Sequence, residues 1–286
     1  MKIATIIACS LTIPLGLNAQ GQNPEAQEKP PITEQKISII TLGTPPMPKF
    51  DIVNGKRQLK DIDNNGKFPP QVLFREIKKK MEAIPMALNV ANQPFSHKAN
   101  TPLTLSRRIG KGEDADYRHF ITVPAIKDLE KVTVLITRRT ITSSWFVRPK
   151  TTILRNDPES FPLKTMRVVN LSSRNVAIFV DGSWKGLTPQ KTMIVRVPSG
   201  KRIVTYDAMF QNKKGEKEIL FRNQAKRILA QDRINLVFYD NDGPRMKTRP
   251  VRLLTYMETR PIVRAAPPGQ APARPAPAQP VDANNQ

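Results

Sequence analysis

A two-residue period runs through the middle of this chain and constrains its fold more than any other feature. Ile234, Leu236 and Phe238 alternate with Asn235, Val237 and Tyr239. Met193, Val195 and Val197 alternate with Ile194 and Arg196, and Val251, Leu253 and Thr255 repeat the pattern. Successive side chains on a strand point to opposite faces, so such runs, broken by Gly, Pro, Asn and Asp, describe half-buried β-strands. The same reading assigns strands to Ile37–Leu42, Lys49–Val53, Phe120–Val123, Val132–Thr137, Trp145–Arg148, Met166–Leu171, Val176–Val180 and Arg202–Tyr206. Asn54-Gly55 and Asp181-Gly182 are dipeptides that tolerate positive φ at both central positions of a tight hairpin.

One segment supports two readings. Leu73, Ile77, Met81 and Ile84 stand at helical spacing behind Pro69-Pro70, whereas Ile84, Met86, Leu88 and Val90 alternate strictly. Two strands joined by a loop at Lys78–Lys80 are favoured over a short helix near residues 70–83. Asn156-Asp157-Pro158-Glu159-Ser160 carries turn residues without an apolar pattern. The expected class is all-β: two small antiparallel β-sandwich domains, over residues 37–155 and 161–260. Both contain strand, X-Gly turn, strand, so a distant internal repeat is conceivable, although the residues do not align far enough to establish it.

The ends differ in composition. Lys2, the apolar run Ile3–Leu17 and the small residues before Gln20 have the layout of a secretory signal peptide over residues 1–19, cleaved after Ala19. The apolar run is interrupted by Pro14 and falls short of the about 20 residues that a membrane-spanning helix needs. No later segment is apolar enough to replace it. Cys9 follows too short an apolar run for a lipoprotein signal and leaves with the leader, so the mature chain forms no disulfide. Residues 20–36 read as a flexible leader, and 261–286 as a disordered Pro/Ala-rich tail that cannot bury enough apolar surface to order itself. The expected location is the periplasm or outer envelope, where cytosolic ATP, NAD and glutathione are absent.

Charge adds a second constraint. The chain has 46 Lys+Arg against 24 Asp+Glu, a formal net of +22, and loss of Lys2 leaves +21. This balance suits anionic partners such as nucleic acid, lipopolysaccharide or acidic wall polymers. Lys78-Lys79-Lys80, Arg107-Arg108 and Arg138-Arg139 are nevertheless short and scattered, as expected of solvated lysines and arginines on any basic surface.

Little in the chain has the spacing of catalysis or metal binding. Asp61-Ile-Asp-Asn-Asn-Gly66 matches the start of a calcium loop, but Val72 occupies the position of its bidentate glutamate. Asp240-Asn241-Asp242-Gly243 and the cluster Glu113, Asp114, Asp116 read as polar turns. His97 and His119 are the only histidines, too few for a zinc site without carboxylates. Gly110-Lys111-Gly112 is too short to cradle phosphate, and no G-x-S-x-G elbow occurs. Neither a metal, a small-molecule cofactor nor an enzymatic activity is expected.

The segment from Val176 through Asp181-Gly182 and Gly186-Leu-Thr-Pro189, followed by Val197-Pro-Ser-Gly-Lys-Arg-Ile-Val204, resembles a PEGA-type domain. Lys201-Arg202 stand where that family often has an acidic residue after the turn glycine. Met166-Arg-Val-Val-Asn170 likewise resembles the opening strand of exported β-sandwich families. The resemblance implies an extracytoplasmic packing or adhesion module over about residues 166–206 and carries over no catalytic residue. Within it, Trp184 occupies an arm between Gly182 and Gly186, next to Lys185. Exposed there, it would suit stacking on a sugar or docking on a partner; folded back, it would be a lid on its own core. Trp184, Lys185, Lys201 and Arg202 are the expected partner contacts. The partner would be an envelope protein or, alternatively, an anionic polymer.

Overall fold

The computed structural model describes residues 31–45, 50–59, 66–110, 115–198 and 200–259. The expected signal peptide and C-terminal tail, Asp61–Asn65 of the calcium-loop match and Lys111–Asp114 lie outside the described residues. The described chain is all-β, with no helix, hence none long and apolar enough to cross a membrane.

In order, the strands are β1 (Glu34–Thr41), β2 (Phe50–Val53), β3 (Lys56–Leu59), β4 (Val72–Ile77), β5 (Lys80–Pro85), β6 (Phe95–Lys98), β7 (Leu103–Ile109), β8 (Asp116–Val123) and β9 (Lys131–Thr137). They continue as β10 (Lys150–Arg155), β11 (Thr165–Asn170), β12 (Val176–Val180), β13 (Ser183–Leu187), β14 (Lys191–Arg196), β15 (Ile203–Gln211), β16 (Lys217–Arg227), β17 (Asp232–Asp240) and β18 (Val251–Thr259). The first ten form a four-stranded sheet β10-β9-β1-β6, a facing sheet β5-β4-β7-β8 and the small hairpin β2-β3. The last eight form the sheets β14-β11-β17-β18 and β13-β12-β15-β16.

These two sandwiches have the same topology. If the β2-β3 hairpin is set aside as an insertion, β1 and β4–β10 correspond in order to β11–β18. Every pairing then keeps its direction, including one parallel pair in each half, β1 with β9 and β11 with β17. The registers agree as well: Leu42 N–H donates to Ile136 O, and Leu171 N–H to Phe238 O, both at 2.8 Å. The hairpins β7-β8 and β15-β16 both carry a bulge. The conceivable repeat is therefore present as a structural one, and the antiparallel sandwiches each include one parallel pair. The first and seventh strands of each sandwich run side by side in the same direction, which adjacent hairpins alone cannot arrange.

Packing follows the two-residue period. Ile37, Ile39, Val132, Val134 and Ile136 face Leu73, Leu103 and Leu105 in the first core, and Met166, Val168, Ile234, Leu236 and Phe238 face Val176, Ile178 and Ala208 in the second. The opposite faces of β1, β9, β11 and β17 are also apolar and close on each other. Ile40, Leu42, Leu135, Leu154, Val169, Val237 and Tyr239 make a third buried cluster between the sandwiches. Ile40 corresponds to Val169, and Leu135 to Val237, so this seam joins equivalent surfaces of the two repeats.

Polar contacts fix both ends of the seam. At one end, Thr44 N–H donates to Asp242 Oδ1 at 2.7 Å, and Tyr239 Oη donates to Asn89 Oδ1 at 3.2 Å. At the other end, Arg167 donates to Asn235 Oδ1, Arg155 O and Asn156 Oδ1, while its guanidinium lies 4.1 Å from the Phe161 ring centroid.

Two local expectations change, and one ambiguity closes on the favoured reading. Residues 34–36, assigned to the leader, begin β1 and pair with β6 through Glu34↔Lys98. Trp145–Arg148 is a turn segment, not a strand, although Trp145 is fully buried. Its backbone N–H donates to Gly66 O at 2.7 Å, which holds it in that turn. The ambiguous 70–90 region is the β4-β5 hairpin, followed by an irregular stretch.

Candidate functional site

The outer face of the sheet β13-β12-β15-β16 carries the expected contact Trp184 and its neighbours. Asp181 (φ 52°) and Gly182 (φ 76°) make a two-residue turn that pairs Val180 with Ser183 and therefore Phe179 with Trp184. Alternation sends Val176, Ile178 and Val180 into the core, so Phe179 and Trp184 share the outer face. Their ring centroids are 5.4 Å apart with planes inclined at 54°. Trp184 keeps 43% of its surface exposed; it is neither a core residue nor a lid. It stands within β13, however, not on an irregular arm.

The next strand extends the site. Phe179 pairs with Asp207, and the ladder between β12 and β15 stops there. Beyond that pair the two strands diverge, leaving a cleft of about 330 Å³ lined by Phe179, Asp181, Arg196, Lys201, Thr205 and Asp207, among others. Lys201 Nζ donates to Asp181 Oδ1 at 3.0 Å across its rim. Asp207 Oδ1 accepts the N–H of Asn223 at 2.7 Å, where Asn223 takes a left-handed φ of 51° in the bulge of β16. Tyr206 also lines the cleft; burial raises its phenol pKa, opposed by the hydroxyl contact with Thr255.

The expected contacts distribute unevenly. Trp184 and Lys201 lie on or beside the cleft. Lys185 pairs with Ile178, so its side chain belongs to the other face from Trp184 and does not flank the indole. Arg202 is exposed and lines a different hollow with Lys164 and Ile228. Phe179 and Asp207 were missed. Phe179 is readable from sequence, because residues equidistant from a two-residue turn face each other. Asp207 is not, because its place depends on a third strand.

The other described candidates engage neighbours within the chain. Asp240 Oδ1 accepts from Ser173, and Asp242 belongs to the seam, 3.3 Å from Arg138 Nε. Burial lowers the Arg138 pKa, and Asp242 opposes that shift. His119 Nε2 contacts Thr122 Oγ1 at 2.9 Å on an exposed strand, and His97 contacts Thr101. No group of three metal-binding side chains occurs among the described residues.

No protein-family model matches the sequence, and no curated protein matches it. Among solved structures, the chain is similar to a DUF3823 family protein from Bacteroides ovatus at 10% identity and a TM-score of 0.17, covering 68% of this chain and 100% of that one. Neither fold nor function is carried over from that match.

Proposed function

We propose that this chain is an exported, non-enzymatic binding or scaffold module of the cell envelope, with a PEGA-like second sandwich. The observation that supports it best is the pairing of exposed Trp184 with Phe179, which itself lines a cleft. A large aromatic left in water forgoes part of its burial energy, and aromatic residues of this kind are favoured anchors of binding surfaces. The joined sandwiches supply a rigid support, since the apolar faces between them cover each other. Mass spectrometry of the protein recovered from the envelope fraction should find Gln20 at the mature N-terminus. Acylated Cys9, or an uncleaved cytosolic chain, would refute export in soluble form.

A second reading, binding of an anionic polymer, has its own supporting observation. Lys78 (φ 48°) and Lys79 (φ 64°) occupy the left-handed positions of the β4-β5 turn. The equivalent turn of the second sandwich uses Asp-Gly. A left-handed φ costs a residue with a Cβ about 1–2 kcal/mol, and asparagine and glycine bear it best. Lysines kept there at that cost, all exposed with Lys80, fit a role for their charge. Lys78→Asn with Lys79→Gly should therefore raise stability in urea by roughly 1 kcal/mol. The same variant should weaken retention on heparin and reduce the salt slope of binding by about two. Unchanged retention would dismiss the anionic reading at this turn.

A further inference from the structure

We propose that the cleft beside Phe179 and Trp184 binds an uncharged glycan, with the two rings as its platform and the cleft side chains as its hydrogen-bonding wall. This rests on the reading of the outer face as a binding surface and names the ligand class it takes.

The charge of the cleft distinguishes it from the rest of the molecule. Although the chain carries +22 overall, the cleft has two carboxylates, Asp181 and Asp207, against two cations, Arg196 and Lys201. Asp181 and Lys201 already engage each other. A locally balanced set has no net attraction for a polyanion, and opposite charges in close array repel neither sign. What such a lining offers is both donors and acceptors, set beside the apolar Val180, Val197 and Val204. Asp207 accepts, Arg196 and Lys201 donate, and the Thr205 hydroxyl does both. A sugar hydroxyl also donates and accepts, so a polyol can satisfy both kinds of group at once. A peptide's main chain offers a fixed alternation along a line, and the β12-β15 ladder already occupies that line up to Phe179↔Asp207.

The rings supply the second half of the match. A pyranose presents a face of C–H groups, apolar and slightly positive, which stacks on the negative face of an indole or phenyl ring. Trp184 is half-open to solvent, and the neighbouring Gly186 on the same face has open space above it. Nothing of the chain's own stands over that position among the described residues. The cleft volume, about 330 Å³, is at the low end of small-molecule sites, suited to one ring seated in the cleft with its neighbours laid along the sheet.

The full mature chain should be tested on a printed array of neutral oligosaccharides alongside uronic-acid-bearing and sulfated ones. Neutral glycans should be retained, and about 0.5 M salt should not release them, because short polar contacts are little screened. Trp184→Ala and Asp207→Asn should each weaken that retention by roughly tenfold or more, and Trp184→Phe should restore part of it. Circular dichroism and thermal unfolding of each variant establish that the sheets persist; Asp207→Asn keeps an oxygen for the Asn223 N–H. An array blank for neutral glycans, retention of acidic glycans alone that salt abolishes, or neutral retention indifferent to both variants would each overturn the proposal. If the array is blank yet Trp184→Ala strips an envelope protein from the immobilised chain, the glycan inference fails and the binding-module reading survives. If neither ligand depends on Trp184, both fail.

Discussion

Cut out at Phe161–Thr259, the second sandwich is expected to aggregate or to populate an expanded state, without a cooperative unfolding transition. Isolation would uncover Val169, Val237 and Tyr239, all buried in the seam, together with the half-buried Leu171, Leu254 and Tyr256. Each side chain returned to water forfeits about 1.5–3 kcal/mol, so the three buried ones alone cost roughly 5–9 kcal/mol. That is comparable with the whole stability of an ordinary domain, about 5–15 kcal/mol. Arg167 and Arg233 would also lose the acceptors that Arg155 and Asn156 provide across the junction. Urea unfolding of the intact chain should accordingly give one transition seen alike by fluorescence and circular dichroism. A fragment that melts cooperatively near the midpoint of the intact chain would show that the seam contributes little.

The parts of this fold visible in the sequence are those set by local alternation. β12 carries a clean two-residue period because only one of its faces is a sandwich core, whereas β11 and β17 are buried on both faces, one toward a sandwich core and one toward the seam. Pairing partners were not visible. β1 lies beside β9 in parallel register, and nothing in either segment encodes a neighbour so distant along the chain. The repeat was hidden for a related reason. Over the equivalent run Ile37–Leu42 and Met166–Leu171, only the final leucine is shared, since a buried strand needs apolar residues of suitable size, not particular ones. β16 escaped notice because it is an exposed edge: Lys217, Arg222, Lys226 and Arg227 interrupt its alternation, as charges on a free strand edge commonly do. Trp145-Phe-Val misled in the opposite direction, its apolar character serving a turn that fills the first core. At the candidate site the tight turn was legible, whereas exposure of the indole was one of two readings that the sequence left open. Lys185 was misplaced because adjacency in sequence is opposition across a sheet, and the cleft itself arises only where β12 and β15 part.

The largest effect of a single substitution is expected at Arg167, which takes the place in β11 that Ser38 takes in β1. Its side chain is 4% exposed and reaches both sandwiches. Nε donates to Asn235 Oδ1 at 2.8 Å, Nη1 to Arg155 O at 2.6 Å and Nη2 to Asn156 Oδ1 at 2.7 Å. Nη2 also lies 3.7 Å from Glu258 Oε1. Burial pulls the guanidinium pKa down, and Tyr256 and Glu258 oppose that shift; arginine remains charged even so. Arg167→Ala removes the cation but leaves its acceptors in place, Glu258 among them with little access to water. Removing one partner of a buried pair costs about 3–5 kcal/mol, and loss of the packing against Phe161 adds to it. Arg167→Lys should recover little, because a single ammonium cannot reproduce a planar fork directed at three acceptors. The pair Arg167→Met with Glu258→Leu should recover much more, since no carboxylate is then stranded and apolar replacement of buried ions is often neutral. Chemical denaturation of the four proteins distinguishes these cases. A loss below about 1 kcal/mol for Arg167→Ala, or equal losses for the alanine and the double variant, would mean that the seam relies on its apolar cluster and not on this arginine.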